Sequence, residues 1–575
     1  MMQTAKHDPD HYQHPGNWDQ DFAPLSLHDM FLRSARDMGD APCLDFMGRS
    51  FSYAQVADEA RRIASGLQAR GLARGDRIGL FLPNVPHYVA SYYGALAAGC
   101  TIVNFSPLYT AEELAHQVAD SGIRTLITLS AKALLPTAME VLDRSSLENL
   151  IVGNIPEVLP AVKSIAYRLF KRSEMATVPD DARVTSYADL TDNNGSYEHH
   201  ECDPVQEIAV LQYTGGTTGP PKGAKLTHQN ITVNARQINL LDPFSRACRP
   251  DDPGEDRILG VLPFFHVFAN ATVLNRTINN GGQIVMLPRF DAKDALAAVN
   301  RCRITSMPGV PTMYQALLDH PALAKTDFSH MRACISGGAP LAGELKARFE
   351  EAAGARVIEG YGLTESSGVI CCNPYEGENK LGSIGQVIAQ TQVKLSDKEE
   401  PTKPPPDGEP GELLCKGPQI MAGYLNRPDA DAQVFVDGWL RTGDVAEIDA
   451  DGFIYIVDRL KDMIAVGGFK VFPSQIEEIL YKNDAVKEAL VIGVPDDYTG
   501  EKPRAFVTLN DGANEDGAIE DSGALEQWLN PQLGKHERVD SVVIRGELPK
   551  TMIGKLDRKA LRAEVMDEDA VDKEA

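Results

Sequence analysis

The 575-residue chain has nine cysteines, an odd number, and no C-x-x-C pair among them. That excludes a fully paired disulfide framework and points to free thiols in a reducing compartment. The one cluster, Cys371-Cys372, makes a poor metal clamp and reads as packing. Basic residues are short: 56 Lys and Arg stand against 81 Asp and Glu, for a formal net charge of −25. Such a surface repels nucleic-acid phosphates. It excludes general nucleic-acid binding and leaves anionic substrates to local basic groups. Apolar runs are short as well. The longest uncharged stretch, Val89 to Ala111, is broken by Gly94, Gly99 and Pro107, and reads as a buried helix and strand, not a membrane span. The first twenty residues carry His, Asp and Pro without an apolar core, so no signal peptide is expected. The cytoplasm is the expected compartment.

What is present is an ordinary globular composition, 43% hydrophobic and 24% charged, at a length that should hold two or more domains. Residues 1–25 read as a loosely ordered arm. Ser52 can cap a helix whose apolar face is Val56, Ala60, Ile63, Ala64 and Leu67, stopped by Gly71. Ile78 to Leu82 reads as a strand, Pro86 opens a helix ending near Gly99, and Ile102-Val103 begins the next strand. Thr110-Ala111-Glu112-Glu113 is a capping box for a helix to Asp120, followed by a strand from Arg124 to Thr128. This alternation predicts a parallel, doubly wound sheet. Further units at Ile258 to Leu262, Gly282 to Leu287, Ala333 to Ser336 and Arg356 to Glu359 continue it. Residues 396–411, rich in Asp, Glu and Pro, form a loop between shorter β segments.

Beyond Asp458 the pattern turns compact and mixed. Ser474-Gln475-Ile476-Glu477 caps a helix, and Glu488 to Val494, Arg504 to Leu509 and Val542 to Arg545 read as strands. A terminal helix near Leu556 to Val565 precedes a solvated acidic tail. The expected fold is α/β: a large N-terminal domain, residues 1–458, with doubly wound sheets and a β subdomain, and a small α+β domain, residues 459–575. Two local features stand apart. Val162 to Arg172 is a basic, amphipathic stretch on an acidic chain, either a membrane-surface contact or a solvated helix. His199-His200 lies between Glu198 and Glu201, but nothing nearby completes a metal shell, so it reads as a polar loop.

The chemistry centres on Tyr213-Thr214-Gly215-Gly216-Thr217-Thr218-Gly219-Pro220-Pro221-Lys222-Gly223, entered by the buried strand Ile208 to Leu211. Its first three glycines let backbone N–H groups turn toward one point. Three threonine hydroxyls and the Lys222 ammonium add donors, so the natural guest is a polyphosphate. It is not a Walker A loop, because Pro221 precedes Lys222 and Gly223 follows it.

Four more stretches follow in order: Ser336-Gly337-Gly338-Ala339-Pro340; Tyr361-Gly362-Leu363-Thr364-Glu365-Ser366; Gly438 to Asp444 with Asp458-Arg459; and Pro549 to Arg558 around Gly554-Lys555. Together the five resemble the adenylate-forming superfamily of acyl-CoA synthetases, peptide-synthetase adenylation domains and beetle luciferases, over about residues 27 to 560. Within it the chain looks most like the long-chain fatty acid–CoA ligases, through Asn104 to Thr110 and Leu262-Pro263-Phe264-Phe265-His266-Val267-Phe268. The resemblance implies that ATP activates a carboxylate to an acyl-adenylate with release of pyrophosphate, and that coenzyme A then displaces AMP.

It also implies roles. Thr214, Gly215, Gly216, Thr217, Thr218, Gly219 and Lys222 would hold the β- and γ-phosphates. Glu365, with Thr217, would hold Mg²⁺, and Thr364 would contact the α-phosphate. Gly337, Gly338 and Ala339 would admit adenine, with Tyr361 as stacking face beside Gly362. Asp444 would accept from the ribose hydroxyls and Arg459 donate to them. Lys555 would bridge the carboxylate and the α-phosphate. The small domain would be mobile, turning at Lys461 to bring Gly467 and Gly468 to the pantetheine tunnel. His266 would sit at the mouth of an acyl channel of Val267, Phe268, Ala269, Val369 and Ile370. No Asp follows Phe264 or Phe265, where amino-acid-activating relatives hold an ammonium, which favours a fatty acid.

The expected partners are thus a fatty acid or related carboxylic acid, ATP, Mg²⁺ and coenzyme A. An aryl, branched or dicarboxylic acid, or a carrier-protein thiol, is the alternative within the same chemistry. A membrane-associated fatty-acid trap is the alternative of another class. A homodimer, and peripheral contact with the inner membrane face through residues 162–172, are compatible with these readings.

Overall fold

The computed structural model describes residues 4–5, 11–214, 221–467, 469–496, 498–510, 522–551 and 554–574. Local signals set the early elements. Ser52 and Gln55 form a reciprocal capping box at the helix Tyr53–Ala69, and Thr110 and Glu113 do the same at Ala111–Ser121. Gly122, left-handed at φ 67, ends the second of these. Tyr53–Ala69 carries the chain from one large sheet to the other, and Ala111–Ser121 joins the two parallel strands, Thr101–Asn104 and Thr125–Leu129, that flank Arg77–Leu80.

The result is a seven-stranded sheet in the order Gly223–Thr227, Ile208–Tyr213, Thr101–Asn104, Arg77–Leu80, Thr125–Leu129, Asn149–Gly153, Val184–Ser186. Only its first edge is antiparallel. A nine-stranded sheet follows in the order Gln386–Val387, Gly368–Cys372, Arg356–Leu363, Ala333–Gly337, Ser306–Gly309, Arg257–Gly260, Gln283–Met286, Pro42–Phe46, Arg49–Ser52. It is parallel from Arg356–Leu363 through Pro42–Phe46. Helix Pro86–Ala97 is buried along its whole length. Its Tyr88 hydroxyl lies 2.8 Å from Asn104 Oδ1 and 2.9 Å from the Phe264 carbonyl, joining the two sheets. The expected doubly wound architecture is present.

A third, antiparallel sheet of Gln392–Ser396, Gly411–Lys416, Trp439–Ile448 and Ile454–Arg459 is the β subdomain. The fourth belongs to the C-terminal residues: Phe469–Val471, Ile464–Val466, Gly500–Leu509 and Val486–Asp496, with Val542–Ile544 parallel to Gly500–Leu509. Apolar packing follows the same division. One cluster runs through the first three sheets, while Ile464, Ile476, Val491 and Val507 belong to a separate cluster.

Several expectations need correction. The N-terminal arm is not loose where it is described: Thr4–Ala5 pairs with Lys394 and Val393, and His14 and Phe22 are buried. The helix assigned to a Ser474 cap begins at Pro473, whose fixed φ and missing N–H suit a first helical position. Ser474 N–H instead donates to Asp458 Oδ2 at 2.9 Å, so the cap comes from the preceding sheet. The acidic tail continues the last helix, Arg558–Glu574, and Arg545 pairs with its Glu564 and Glu568 at 2.7 and 3.0 Å. The strand Ser306–Gly309 was hidden by Pro308 within it.

Candidate functional site

The cleft is built at the carboxyl ends of the two large sheets, where parallel α/β folds present their loops. At one wall, the strand Ile208–Tyr213 leads to Thr214, whose N–H donates to the Lys222 carbonyl at 3.0 Å and closes the base of the Gly-rich loop. Gly215, Gly216, Thr217, Thr218 and Gly219 lie outside the described residues. Lys222 Nζ stands 4.7 Å from the centre of the Tyr424 ring, and the Tyr424 hydroxyl donates to Glu365 Oε1 at 2.6 Å. One aromatic ring thus holds the loop lysine and the candidate metal carboxylate on the same side of the cleft. Thr364 and Glu365 occupy a single 3-10 turn, Thr364–Ser366, just after the strand Arg356–Leu363. Gly362 is demanded by that approach, since a Cβ there would fall 1.7 Å from the Gly368 carbonyl oxygen.

The second wall carries the expected nucleoside groups. The Tyr361 hydroxyl donates to Asp444 Oδ2, and Arg459 Nε lies 3.1 Å from Asp444 Oδ1. Asp444 is only 2% exposed, and it faces Arg459 across antiparallel strands. Burial, then the Asp444 charge, lifts the Tyr361 phenol well above its usual range, so it remains a donor. Gly337 ends its strand, and Gly338 follows with φ +82, a conformation that favours glycine. Ala339 is half-buried beside them.

Lys555 reaches this wall from the C-terminal unit. A Cβ added at Gly338 would lie 2.5 Å from Lys555 Cε and 2.7 Å from Nζ. The turn that delivers it is pinned by Lys555 N–H to Thr551 Oγ1 (3.1 Å) and by Thr312 Oγ1 to the Gly554 carbonyl (3.0 Å). Burial, then the neighbouring Arg459 charge, lowers the Lys555 ammonium from its ordinary 10.5 to about 8, with Asp444 opposing. His266 is close enough to feel Lys555: burial first, and that charge second, push it down to about 3. Its Nδ1 accepts from Phe268 N–H at 3.2 Å, so the neutral ring carries its proton on Nε2. Val267, Ala269 and Ile370 are buried, and Phe268 and Val369 are half-buried. The helix beyond His266 contains a π-helical segment, Asn270–Asn275, of the kind that recurs at functional sites.

Of the remaining expected residues, Lys461 has its ammonium lowered by burial and then by the Arg459 charge, with Asp462 and Asp444 opposing. Lys461 follows Arg459 in the turn after the strand Ile454–Arg459. Gly467 has φ +58 and its N–H donates to the Thr499 carbonyl at 2.8 Å, while Gly468 lies outside the described residues. Phe469 is 60% exposed and stacks on His536 with centroids 4.8 Å apart. Lys470 pairs with Glu399 at 3.0 Å.

Several site-shaping groups escaped the sequence reading. Tyr424 and Thr312 touch the site only through long-range contacts. Asn84 donates to the Gly260 and Leu262 carbonyls at 3.1 and 2.8 Å and accepts from Phe264 N–H at 2.9 Å. Gln212 donates to the Phe265 carbonyl at 2.7 Å and accepts from Asn104 at 3.1 Å. These bonds lock the segment before His266 to the strand feeding the Gly-rich loop. A buried amide inside an apolar strand, as at Gln212, was the available signal.

Loop, carboxylate and a buried acid paired with a half-exposed guanidinium on this two-part α/β frame define a nucleotide-binding enzyme class. The AMP-binding enzyme family matches residues 31–425, and the AMP-binding enzyme C-terminal domain matches residues 475–555. The chain belongs to the AMP-binding enzyme family. It is similar to the long-chain-fatty-acid–CoA ligase of Bacillus subtilis, 38% identical over 542 residues and 94% of each chain. It is also similar to feruloyl-CoA synthase from an Amycolatopsis species, 34% identical over 91% of this chain and 96% of that one. Among solved structures, ATP-bound MatB from Rhodopseudomonas palustris superposes with a TM-score of 0.80 at 27% identity, over 94% of this chain and 99% of that one.

Proposed function

We propose that the chain is an ATP-dependent acyl-CoA synthetase that converts a medium- or long-chain fatty acid to acyl-AMP and then to acyl-CoA. The observation that carries this reading is Lys555 lying over Gly338, beside Asp444, Arg459 and His266. A carboxylate oxygen attacks the α-phosphorus and the α–β bridging bond breaks, with its electron pair leaving on pyrophosphate. Two anions must meet for that, and a cation spanning both removes their repulsion; Lys555 is our candidate for that cation. Lys222 and the Gly-rich loop take the terminal phosphates, and Thr364 the α-phosphate. Asp444 and Arg459 read the ribose, Tyr361 and the Gly337-Gly338-Ala339 turn flank adenine, and the His266 Nε2–H faces the acyl head group.

Glu365 is a half-buried, hard oxygen donor beside Lys222, which suits magnesium, with Thr217 as the second proposed ligand. Bound there, the ion would stabilise the departing pyrophosphate. For the second step the small domain, proposed to begin at Arg459, turns about Lys461 and brings the 466–470 hairpin to the cleft. A thiolate then attacks the acyl carbon and AMP leaves.

A fatty acid is favoured because no Asp follows Phe264 or Phe265, and because relatives of this chain carry the name long-chain-fatty-acid–CoA ligase. The feruloyl-CoA synthase relative keeps an aryl acid as the second reading. Pyrophosphate release with and without coenzyme A, over acids of graded length and polarity, separates them. Release strongest with an aryl acid would overturn the fatty-acid assignment.

Peripheral membrane contact is part of the proposal. The helix Ala161–Phe170 buries none of its residues, and Val162, Ile165, Leu169 and Phe170 are 80%, 61%, 69% and 81% exposed. Lys163, Arg168, Lys171 and Arg172 surround that apolar stripe, which suits an anionic lipid surface. No helix among the described residues is long and apolar enough to cross a membrane. Flotation with anionic vesicles should carry the wild-type chain and leave behind a variant with those four charges reversed. A homodimer is the remaining proposal, read by light scattering.

A further inference from the structure

The loop holding His199 and His200 reads in sequence as merely polar because nothing close by could complete a metal shell. The fold supplies the missing groups from 170 residues away. His199 Nε2 lies 3.4 Å from Asp29 Oδ1, and His28 Nε2 lies 3.7 Å from Asp29 Oδ2. One ligand atom from each of His28, Asp29 and His199 falls within 4.8 Å of the other two. Zinc–nitrogen and zinc–oxygen bonds of about 2.0–2.2 Å place tetrahedral donors about 3.3–3.6 Å apart, so both imidazole–carboxylate spacings, each to a different Asp29 oxygen, lie near that range.

The surroundings are those of a built site. His28 is 1% exposed, and its Nδ1 has no hydrogen-bond partner. Its Nε2, the nitrogen that faces Asp29, lies 3.4 Å from Ser26 Oγ, a long contact that a metal bond would replace. Ser26 Oγ donates to Asp29 Oδ2 at 2.6 Å, orienting the carboxylate as outer-shell groups orient metal ligands. His228 Nδ1 accepts the Leu27 N–H at 3.2 Å, fixing the backbone that carries His28. The His28 and His199 rings stand 5.7 Å apart at 63°, converging without stacking.

We infer that His28, Asp29 and His199 form a site for one borderline divalent transition ion, zinc being the probe, with water completing the shell on the exposed His199 side. Two imidazoles and one carboxylate select this ion class over magnesium or calcium, which prefer all-oxygen shells. The site lies away from the nucleotide cleft and is structural. It ties the 192–207 segment, which runs directly into the strand Ile208–Tyr213 below the Gly-rich loop, to the first turn of the helix Leu27–Met38.

Equilibrium dialysis of the tag-free full chain against zinc, with metal analysis, tests it, and cobalt absorption reports the ligand set. Wild type and His200→Ala are expected to hold one ion per chain. His199→Ala and Asp29→Asn each remove a ligand without touching the core. Outer-shell partners alone are worth about 10–100-fold in affinity, so each should weaken binding by at least about tenfold and abolish the cobalt spectrum. No stoichiometric zinc on the wild-type chain overturns the inference, as does undiminished binding by either variant.

Discussion

The two halves of the cleft are held in different ways. On the large-lobe side, the functional groups hang from buried bonds: Asp444 between Tyr361 and Arg459, the pre-His266 segment between Asn84 and Gln212. Behind them Arg276, buried, pairs with both Asp242 and Asp256. On the small-lobe side, Lys555 arrives on a turn tied to the large lobe through Thr312 and the Gly554 carbonyl, and the small lobe's apolar clusters are its own. The Lys470–Glu399 pair is exposed. In the proposed two-step reaction the first half would bind the nucleotide, and the second would turn away between steps. Chemistry in two steps needs that asymmetry.

The largest effect should come from breaking the rigid half. Arg276→Met removes the cation between two buried carboxylates, leaving Asp256 with Arg332 at 3.7 Å, and should cost about 3–5 kcal/mol of stability, read by denaturant unfolding. Lys555→Ala attacks the other half at its proposed catalytic side chain. Adenylation should fall about 100–1000-fold, while thioester formation from preformed acyl-adenylate survives. Equal loss in both half-reactions would assign Lys555 a structural part instead. Because its ammonium is the working form and is lowered to about 8, adenylation by the wild type should decline as pH rises through that value.

Glu359 sharpens the contrast from inside the rigid half. It is 8% exposed, and burial raises its carboxyl from 4.5 to about 7. The folded state therefore prefers the protonated form, and the penalty grows as pH climbs from 4.5 toward 7. Glu359→Gln should stabilise by about 2–3 kcal/mol above pH 7, and the gain should vanish near pH 4.5; a pH-independent shift in Tm would refute this.

Lys461→Pro tests the junction. Adenylate should still form, yet overall turnover should drop about tenfold, because the backbone can no longer absorb the rotation. An unchanged rate would move the hinge elsewhere. Smallest of all, Glu399→Ala removes an exposed pair worth about 0.2–1 kcal/mol, so the adenylation rate should change by no more than about fivefold.

What could be read beforehand was what is local. Ser52 and Thr110 announced their helices because a cap and its partner lie three residues apart. The Gly-rich loop suggests a polyphosphate because its donors are contiguous, although residues 215–220 lie outside the described residues. Tyr424, Thr312 and Asn84 gave no such notice, since their meaning arises only when distant strands meet. Ser474 misled for the same reason: its cap, Asp458, belongs to another sheet. His199 meets Asp29 at 3.4 Å across 170 residues, a meeting that no local pattern announces.

Gly338 carries a further consequence. It is the point where a missing methyl group lets one lobe's cation rest against the other lobe's backbone. A side chain there would act as a wedge. It would hold the lysine off the nucleotide wall and bias the enzyme toward its open arrangement, with every reactive group intact. A single added carbon would thus separate possession of the machinery from the ability to assemble it.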